Sequence, residues 1–418
     1  MIKLIQNGNF SGEITIPSSK SDGQRALLAA AISTGISSIS GLGSSADELA
    51  MLAAIEEMGA KISKKFDGTL EIEGISELPQ QITVSSNESG LGFRLLVGTL
   101  ASFSGEKTIK AEGSLKTRTM NVFEDYLPKM GVEVHSENGF PPLKINGKLN
   151  VGRYEIDGSL SSQFISGLLF GFSRLNGIST IQVNNLVSRP YVDMTLNTLR
   201  AFGVSIIETE KDSFSIQARE LKATRYKVEA DWSSASYWLV ASALGQDVNV
   251  HNLNLESKQA DKSLLKVFEV ANCIIDFSNG LKIKGKSRKP FQFDATDCPD
   301  LFPALVVFAA GINGKSIISG TNRLVHKESN RALTLQSEFG KLGLRIELTE
   351  NEMHVFGTGK LTGGKVHSHN DHRIAMSLGI ASCLSNSIIE IEKAEAVSKS
   401  YPTFWDDFEQ LKNFNIIT

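Results

Sequence analysis

One pattern of polar and apolar positions recurs along the chain: a short polar opening that passes into a nearly unbroken apolar run. It reads SSKSDGQRALLAAAIS from Ser18, SNESGLGFRLLVGTLA from Ser86, GSLSSQFISGLLFGFS from Gly158, ADWSSASYWLVASALG from Ala230, DCPDLFPALVVFAAGI from Asp297 and HNDHRIAMSLGIASCL from His369. Such runs are good helix formers, and a Ser at the start caps the first free backbone N–H groups. After most of them comes a β-like run punctuated by Gly, Ser or Asn, as in STIQVNNL and KSIISGT. A second, amphipathic helix follows. ELAMLAAIEEMGAKI, MNVFEDYLPKMGVEV, DMTLNTLRAFGVSII and ALTLQSEFGKLGLRI each place apolar residues at helical spacing, then a glycine suited to a C-cap, then an alternating strand. Two strands around a turn close several units, as in KISKKFDGTLEIEG and IELTENEMHVFG. Successive openings lie roughly 70 residues apart, so the chain reads as six copies of a β-α-β-α-β-β unit.

One unit cannot bury both of its helices, and six exceed one core, so two domains of three units each are expected. The halfway point falls near residue 229, where YKVEADW leads into the fourth copy. The N-terminal strand is expected to belong with the second half. Residues 1–17 with 230–418 then make one discontinuous domain and residues 18–229 the other.

Composition removes several classes of function. The 418 residues are 41% hydrophobic and 21% charged, as in an ordinary soluble protein, and a net charge of -3 leaves no basic footprint for nucleic acid. Cys273, Cys298 and Cys383 lack CxxC spacing, which favours a reduced cytoplasmic protein over a disulfide-stapled or zinc-bound one. The opening MIKLIQNGNFSG has no signal-peptide core, and the longest apolar run, LFPALVVFAAGI, is too short to span a membrane.

The polar openings hold more than capping requires. One hydroxyl suffices to cap, yet the first helix start carries Lys20, Ser21 and Arg25. The others carry Glu88, Gly90 and Arg94; Ser161, Ser162 and Gln163; Ser233 and Ser234; Asp300; and Asn370, Asp371, His372 and Arg373. Helix N-termini attract anions through free N–H groups and the dipole. Three such helices related by pseudo-threefold symmetry point their N-termini one way, and two domains so built are expected to enclose an anion-attracting cleft. Loops before the second helices add Arg118, Ser188 with Arg189 and Tyr191, and Lys327, Glu328 and Arg331 in HKESNR. Cations of this kind suit phosphate and carboxylate together.

SSKSDGQRALL, SSQFISGLL, SRPYVDMTL, EADWSSASYWL, HKESNRA, NDHRIAM and SKSYPTFWDDF resemble, in order and over nearly the whole chain, the successive motifs of the 5-enolpyruvylshikimate-3-phosphate synthase family. The resemblance implies an α/β fold, a two-domain inside-out α/β barrel of six βαβαββ repeats with three per domain. It also implies transfer of the enolpyruvyl group of phosphoenolpyruvate to the 5-hydroxyl of shikimate 3-phosphate, with release of phosphate and with no metal or organic cofactor. Carried over by motif, Lys20, Asp300, Glu328 and His372 match catalytic positions. Ser21, Arg25, Ser161, Ser162, Gln163, Ser188, Tyr191, Asp300 and Lys327 match those that hold shikimate 3-phosphate. Lys20, Gly90, Arg118, Gln163, Arg331, Arg373 and Lys399 match those that hold phosphoenolpyruvate. On this reading Asp300 orients or deprotonates the 5-hydroxyl, and Glu328 or Lys20 protonates the methylene carbon. The partners expected are these two small molecules, with no nucleic acid or membrane, and a monomer.

Some positions depart from the family pattern: Glu88-Ser89-Gly90-Leu91 replaces the usual Asn-Ala-Gly-Thr, Arg323 stands where an Asn is usual, and Asn330 replaces an Asp beside Arg331. Two rivals remain. One is the related enolpyruvyl transferase acting on UDP-N-acetylglucosamine, which typically has Lys-Asn where this chain has Lys20-Ser21 and an early cysteine where the first here is Cys273. The other is a catalytically silent anion-binding homologue. Three further signals read more plainly as structure. GLGSSADELA fits G-x-G-x-x-A once among 36 glycines, which is weak for a dinucleotide site. His367, His369 and His372 in HSHNDHR have metal-like spacing without a partnering cluster. Cys298, close to Asp300, is expected to be a buried thiol.

Overall fold

The computed structural model describes residues 1–218, 220–325 and 327–413. The chain divides into two compact units, Met1–Pro17 with Ala230–Thr418, and Ser18–Glu229.

In the Ser18–Glu229 unit the first helices of the repeats, α1 (Lys20–Ala31), α3 (Gly90–Leu100) and α5 (Ser162–Ser173), are buried along nearly their whole length. The second helices are α2 (Ala46–Glu57), α4 (Asn121–Tyr126) and α6 (Arg189–Ala201). Each repeat contributes a four-stranded sheet. In the second repeat Gln81–Ser85 runs parallel to Glu106–Lys110, which pairs antiparallel with Phe140–Gly147 and through it with Val132–Glu137. The parallel pair needs a crossover, and the buried helix supplies it. Glu106–Lys110 alternates buried and exposed positions, one face against the helices and one toward water. The result is helices inside and sheets outside. Central helices can touch closely only where side chains are absent: a Cβ on Gly98 of α3 would collide with the Gly167 backbone of α5, and one on Gly167 with the Arg94 carbonyl.

The discontinuous unit repeats the plan with central helices α7 (Trp232–Ala243), α9 (Phe302–Ala310) and α11 (His372–Ala381), accompanied by α8 (Leu264–Val270), α10 (Arg331–Lys341) and α12 (Phe404–Leu411). Trp232, Tyr237 and Trp238 lie in its core.

The structure departs from six self-contained copies in where strands come from. The first repeat's outer parallel strand is Arg225–Lys227, paired with Ile36–Ser40. In the fourth, Asn9–Thr15 lies parallel to Asp247–His251. In the sixth, Ile2–Ile5 runs antiparallel to Ile389–Glu392, in the place a hairpin strand would fill. Helix α4 is also shorter than its apolar spacing predicts. Pro128 has no N–H to donate and its ring would crowd the Glu124 carbonyl, so the chain tightens into a 3₁₀ turn over Pro128–Met130. Among the described residues no helix is long and apolar enough to cross a membrane.

Candidate active site

The polar helix starts of the Ser18–Glu229 unit are held by a specific set of bonds. Ser19 caps α1. Lys20, its first residue, places Nζ 2.9 Å from Asp47 Oδ2 with both side chains largely buried, at 13% and 7% exposure. Asp47 stands in the first turn of α2, which opens with a capping box between Ser45 and Glu48. The Glu48 carboxylate also accepts from the Gly43 N–H (3.0 Å) and the Ser18 hydroxyl (3.0 Å). Amides that the glycine motif would offer a dinucleotide phosphate are thus engaged by Glu48.

At the start of α3, Ser89 accepts from the Gly92 N–H and donates to Gln24 Oε1 at 2.6 Å, tying α3 to α1. Arg94 Nη1 donates to the Gly90 carbonyl (3.0 Å) and to Gln163 Oε1 (2.9 Å), so α3 also fixes the first turn of α5. A Cβ on Gly90 would lie 3.1 Å from Arg94 Nη1 and 3.3 Å from Arg118 Nη1, so the missing side chain leaves room beside two guanidiniums. Glu88 lies against Gly113, where a Cβ would collide with its carboxylate. Ser161 caps α5 by accepting from the Gln163 N–H, and Ser162 is buried behind it.

Arg25 is fully buried and braces α1 against α6. Its Nε donates to Thr195 Oγ1 (2.8 Å), Nη1 to the Ser21 carbonyl (2.6 Å) and Nη2 to the Tyr191 carbonyl (3.0 Å). Burial pulls its pKa down to about 10, against the raising effect of Asp22. Ser188, buried, precedes α6 in the left-handed region at φ 54°. Arg189 is taken by three carboxylates, Asp193 (2.9 Å), Glu208 (2.7 Å) and Asp212 (2.6 Å), and its hydrogen bond brings Glu208 down to about 2. It secures the start of α6 and is not among the cations offered to a ligand.

The discontinuous unit gathers a second cluster around Asp300, in a 3₁₀ turn ahead of α9. Asp300 Oδ1 accepts from Lys327 Nζ (3.3 Å) and Arg331 Nη1 (2.6 Å), and Oδ2 from Arg373 Nη2 (3.0 Å). Burial alone would raise its carboxyl, but Arg373, Lys327 and Arg331 hold it well below the usual carboxylate range. Arg331, 1% exposed, also donates from Nη2 to Glu328 (2.6 Å) and from Nε to Asp371 (2.8 Å). Asp371 is fully buried and caps α11 by accepting from the Arg373 N–H at 3.0 Å. Arg373 keeps Nε and Nη1 buried without an acceptor among the described residues. His372 is buried, with Nδ1 3.8 Å from Asp371 Oδ1. Lys399 ends the 3₁₀ turn Ala394–Lys399 and is half-buried.

The other two departures from the family pattern also have a structural place. Asn330 caps α10. Arg323 is half-buried, and burial lowers its pKa against the pull of Asp297. Cys298 is buried beside the Ser263 hydroxyl at 3.3 Å, and burial pushes its thiol well up, as in an inert core cysteine. No group of three or more His, Cys, Asp or Glu among the described residues is arranged to hold a metal ion.

The residues that sequence reasoning passed over are the carboxylates that orient the cations. Asp47 lay inside the glycine motif, and Asp371 was noted only among the polar groups of its helix start. Asp261 carried no signal. It is buried, bonded by the Ser233 hydroxyl, and raised to about 7 by burial and by Asp300, against Arg373 and Ser233.

A family model described as EPSP synthase (3-phosphoshikimate 1-carboxyvinyltransferase) matches residues 5–408. A 3-phosphoshikimate 1-carboxyvinyltransferase of Clostridium beijerinckii is 35% identical over 428 residues, covering 97% of this chain and 96% of its own. That of Clostridioides difficile is 37% identical over 423 residues with the same coverage. An EPSP synthase structure from Acinetobacter baumannii matches with a TM-score of 0.82 at 26% identity, covering 98% of each chain.

Proposed function

The chain belongs to the EPSP synthase (3-phosphoshikimate 1-carboxyvinyltransferase) family, and from that premise we propose that its two clusters carry the family's reaction. The enzyme transfers the enolpyruvyl group of phosphoenolpyruvate to the 5-hydroxyl of shikimate 3-phosphate and releases phosphate. The observation that carries the assignment of residues is the convergence of Lys327, Arg331 and Arg373 on Asp300. Three cations on one carboxylate keep it ionised at neutral pH and leave donors, including Nε and Nη1 of Arg373, for an anionic substrate.

In this reading Ser21, Ser161, Ser162, Gln163, Ser188, Tyr191 and Lys327 hold shikimate 3-phosphate. Arg25 contributes by bracing Ser21 and Tyr191 through their carbonyls. Gly90, Arg118, Gln163, Arg331, Arg373 and Lys399 hold phosphoenolpyruvate. Asp300 orients the 5-hydroxyl and receives its proton only as the new C–O bond forms, because so weak a base gains little by taking it earlier. Lys20, paired with Asp47, or Glu328, when it carries a proton against the pull of Arg331, delivers that proton to the methylene carbon so that C2 becomes electrophilic, and the group so deprotonated takes a proton back from the methyl as phosphate leaves. His372 lies behind Asp371 in the same helix start. Arg331 is fully engaged by Asp300, Glu328 and Asp371, so an incoming carboxylate or phosphate must share its donors with them.

A continuous phosphate-release assay tests the function. Turnover is expected only with phosphoenolpyruvate and shikimate 3-phosphate together. Turnover with UDP-N-acetylglucosamine in place of shikimate 3-phosphate, or no turnover with either acceptor, overturns it.

A further inference from the structure

The HSHNDHR stretch has spacing that suggests metal ligands, yet the structure gives its first two histidines a different partner. Glu338 lies on α10 and is only 1% exposed. Its Oε2 accepts from the backbone N–H of His367 at 2.8 Å and from Lys341 Nζ at 2.7 Å, while Oε1 lies 2.9 Å from His369 Nε2. His367 Nδ1 in turn accepts the His369 N–H at 2.8 Å. The segment so held is unusual. His369 and Asn370 are consecutive non-glycine residues in the left-handed region, at φ 55° and 56°, a conformation that persists only where surrounding bonds impose it. Ser368 fixes the other side, donating to the Lys393 carbonyl and accepting from the Asn370 N–H. The next residue is Asp371, which caps α11 and takes Arg331 Nε, and two residues on is Arg373.

We infer that Glu338, through His367 and His369, is a positioning residue that holds the left-handed turn ahead of α11 and thereby aims Asp371, Arg331 and Arg373 at the anionic substrate they share. Glu338 touches no substrate. Its effect falls first on Arg331 and Arg373 of the phosphoenolpyruvate set and reaches Asp300 only through them, and to that extent the inference rests on the roles proposed above. Of the groups assigned to shikimate 3-phosphate, Ser21, Ser161, Ser162, Gln163, Ser188 and Tyr191 lie on or ahead of α1, α5 and α6 in the Ser18–Glu229 unit, whereas Asp300 and Lys327 share the cluster with Arg331 and Arg373.

The test uses Glu338→Ala, Glu338→Gln and the milder His369→Ala, with kcat and both KM values from phosphate release. Backbone hydrogen exchange at residues 371–373 is read in parallel. Glu338→Ala is expected to raise KM for phosphoenolpyruvate at least tenfold, leave KM for shikimate 3-phosphate within about twofold, and speed exchange at 371–373. Glu338→Gln, which keeps one acceptor oxygen for the His367 N–H, is expected to recover most of the loss. His369→Ala is expected to shift the same KM about threefold, and it decides the matter if Glu338→Ala does not fold. Parallel rises in both KM values, an unchanged KM for phosphoenolpyruvate, or a fall in melting temperature alone overturns the inference. Wild-type turnover with shikimate 3-phosphate separates its failure from failure of the functional reading. If wild type does not turn over, exchange at 371–373 decides: unchanged protection in the variants overturns the latch.

Discussion

Arg331→Met tests the electrostatic core of the discontinuous unit. Arg331 is 1% exposed and donates to three carboxylates, of which Asp371 is fully buried. Removing the guanidinium leaves Lys327 and Arg373 facing Asp300, Glu328 and Asp371, with Asp371 deprived of the donor that reaches it through Nε and Nη2. Breaking a buried pair by deleting one partner costs about 3–5 kcal/mol. For a unit of this size each kcal/mol moves Tm by about 2–4 °C, so the unit should melt roughly 6–20 °C lower at pH 7. The sign of the pH dependence follows from Asp300. Its folded pKa lies well below its unfolded one, so in the wild type its stabilisation is present above the unfolded value of about 3.9 and is lost as pH falls through the folded value. Without Arg331 the Asp300 carboxyl holds its proton more tightly, so the deficit against wild type should shrink as pH falls from 7 through the usual carboxylate range. Differential scanning calorimetry of both proteins at pH 7 and at about pH 4 checks this. A shift under about 2 °C, or a deficit that does not change with pH, refutes the view that these three carboxylates depend on this one cation.

Two further outcomes follow from single residues. Lys107 is buried with Nζ donating to the Phe103 and Gly147 carbonyls, and burial lowers its pKa to about 8. Its NMR titration should therefore centre near 8, with folding stability gained as pH rises from there toward its unfolded value, and a midpoint above 10 contradicts this. Ser21 lends only its carbonyl to Arg25, so Ser21→Ala should leave Tm unchanged while weakening shikimate 3-phosphate by about 1.5–3 kcal/mol in calorimetric titration; unchanged affinity removes Ser21 from the site.

Local pattern made much of the fold legible. The buried helices, the amphipathic helices with glycine ends and the hairpins all follow from runs of ten to fifteen residues, as in ALTLQSEFGKLGLRI, where α10 ends at Lys341 ahead of Gly343 at φ 82°. What was not legible is non-local. Nothing in RYK at 225–227 shows that it completes a sheet with Ile36–Ser40, because pairing partners are chosen by the closed sheet and not by neighbours in sequence. The site divides the same way. Cations at helix starts stand out, whereas the acids that orient them come from elsewhere: Asp47 reaches Lys20 from α2, and Asp371 reaches Arg331 across 40 positions. Arg189 was misleading for the same reason, since Glu208 and Asp212, which claim it, belong to a hairpin after α6.

Lys20→Ala bears most directly on the central claim that the polar opening of α1 performs chemistry. If Lys20 stabilises charge as the enolpyruvyl group is transferred, phosphate release with both substrates saturating should show kcat lowered about a hundredfold or more, on the scale of ~3 kcal/mol for a lost electrostatic contact. Because Asp47 is left buried without its 2.9 Å partner, Tm should also fall, and Lys20→Ala/Asp47→Asn should restore Tm without restoring kcat. Wild-type kcat in Lys20→Ala, or recovery of kcat along with Tm in the double variant, would show that Lys20 and Asp47 serve only the fold.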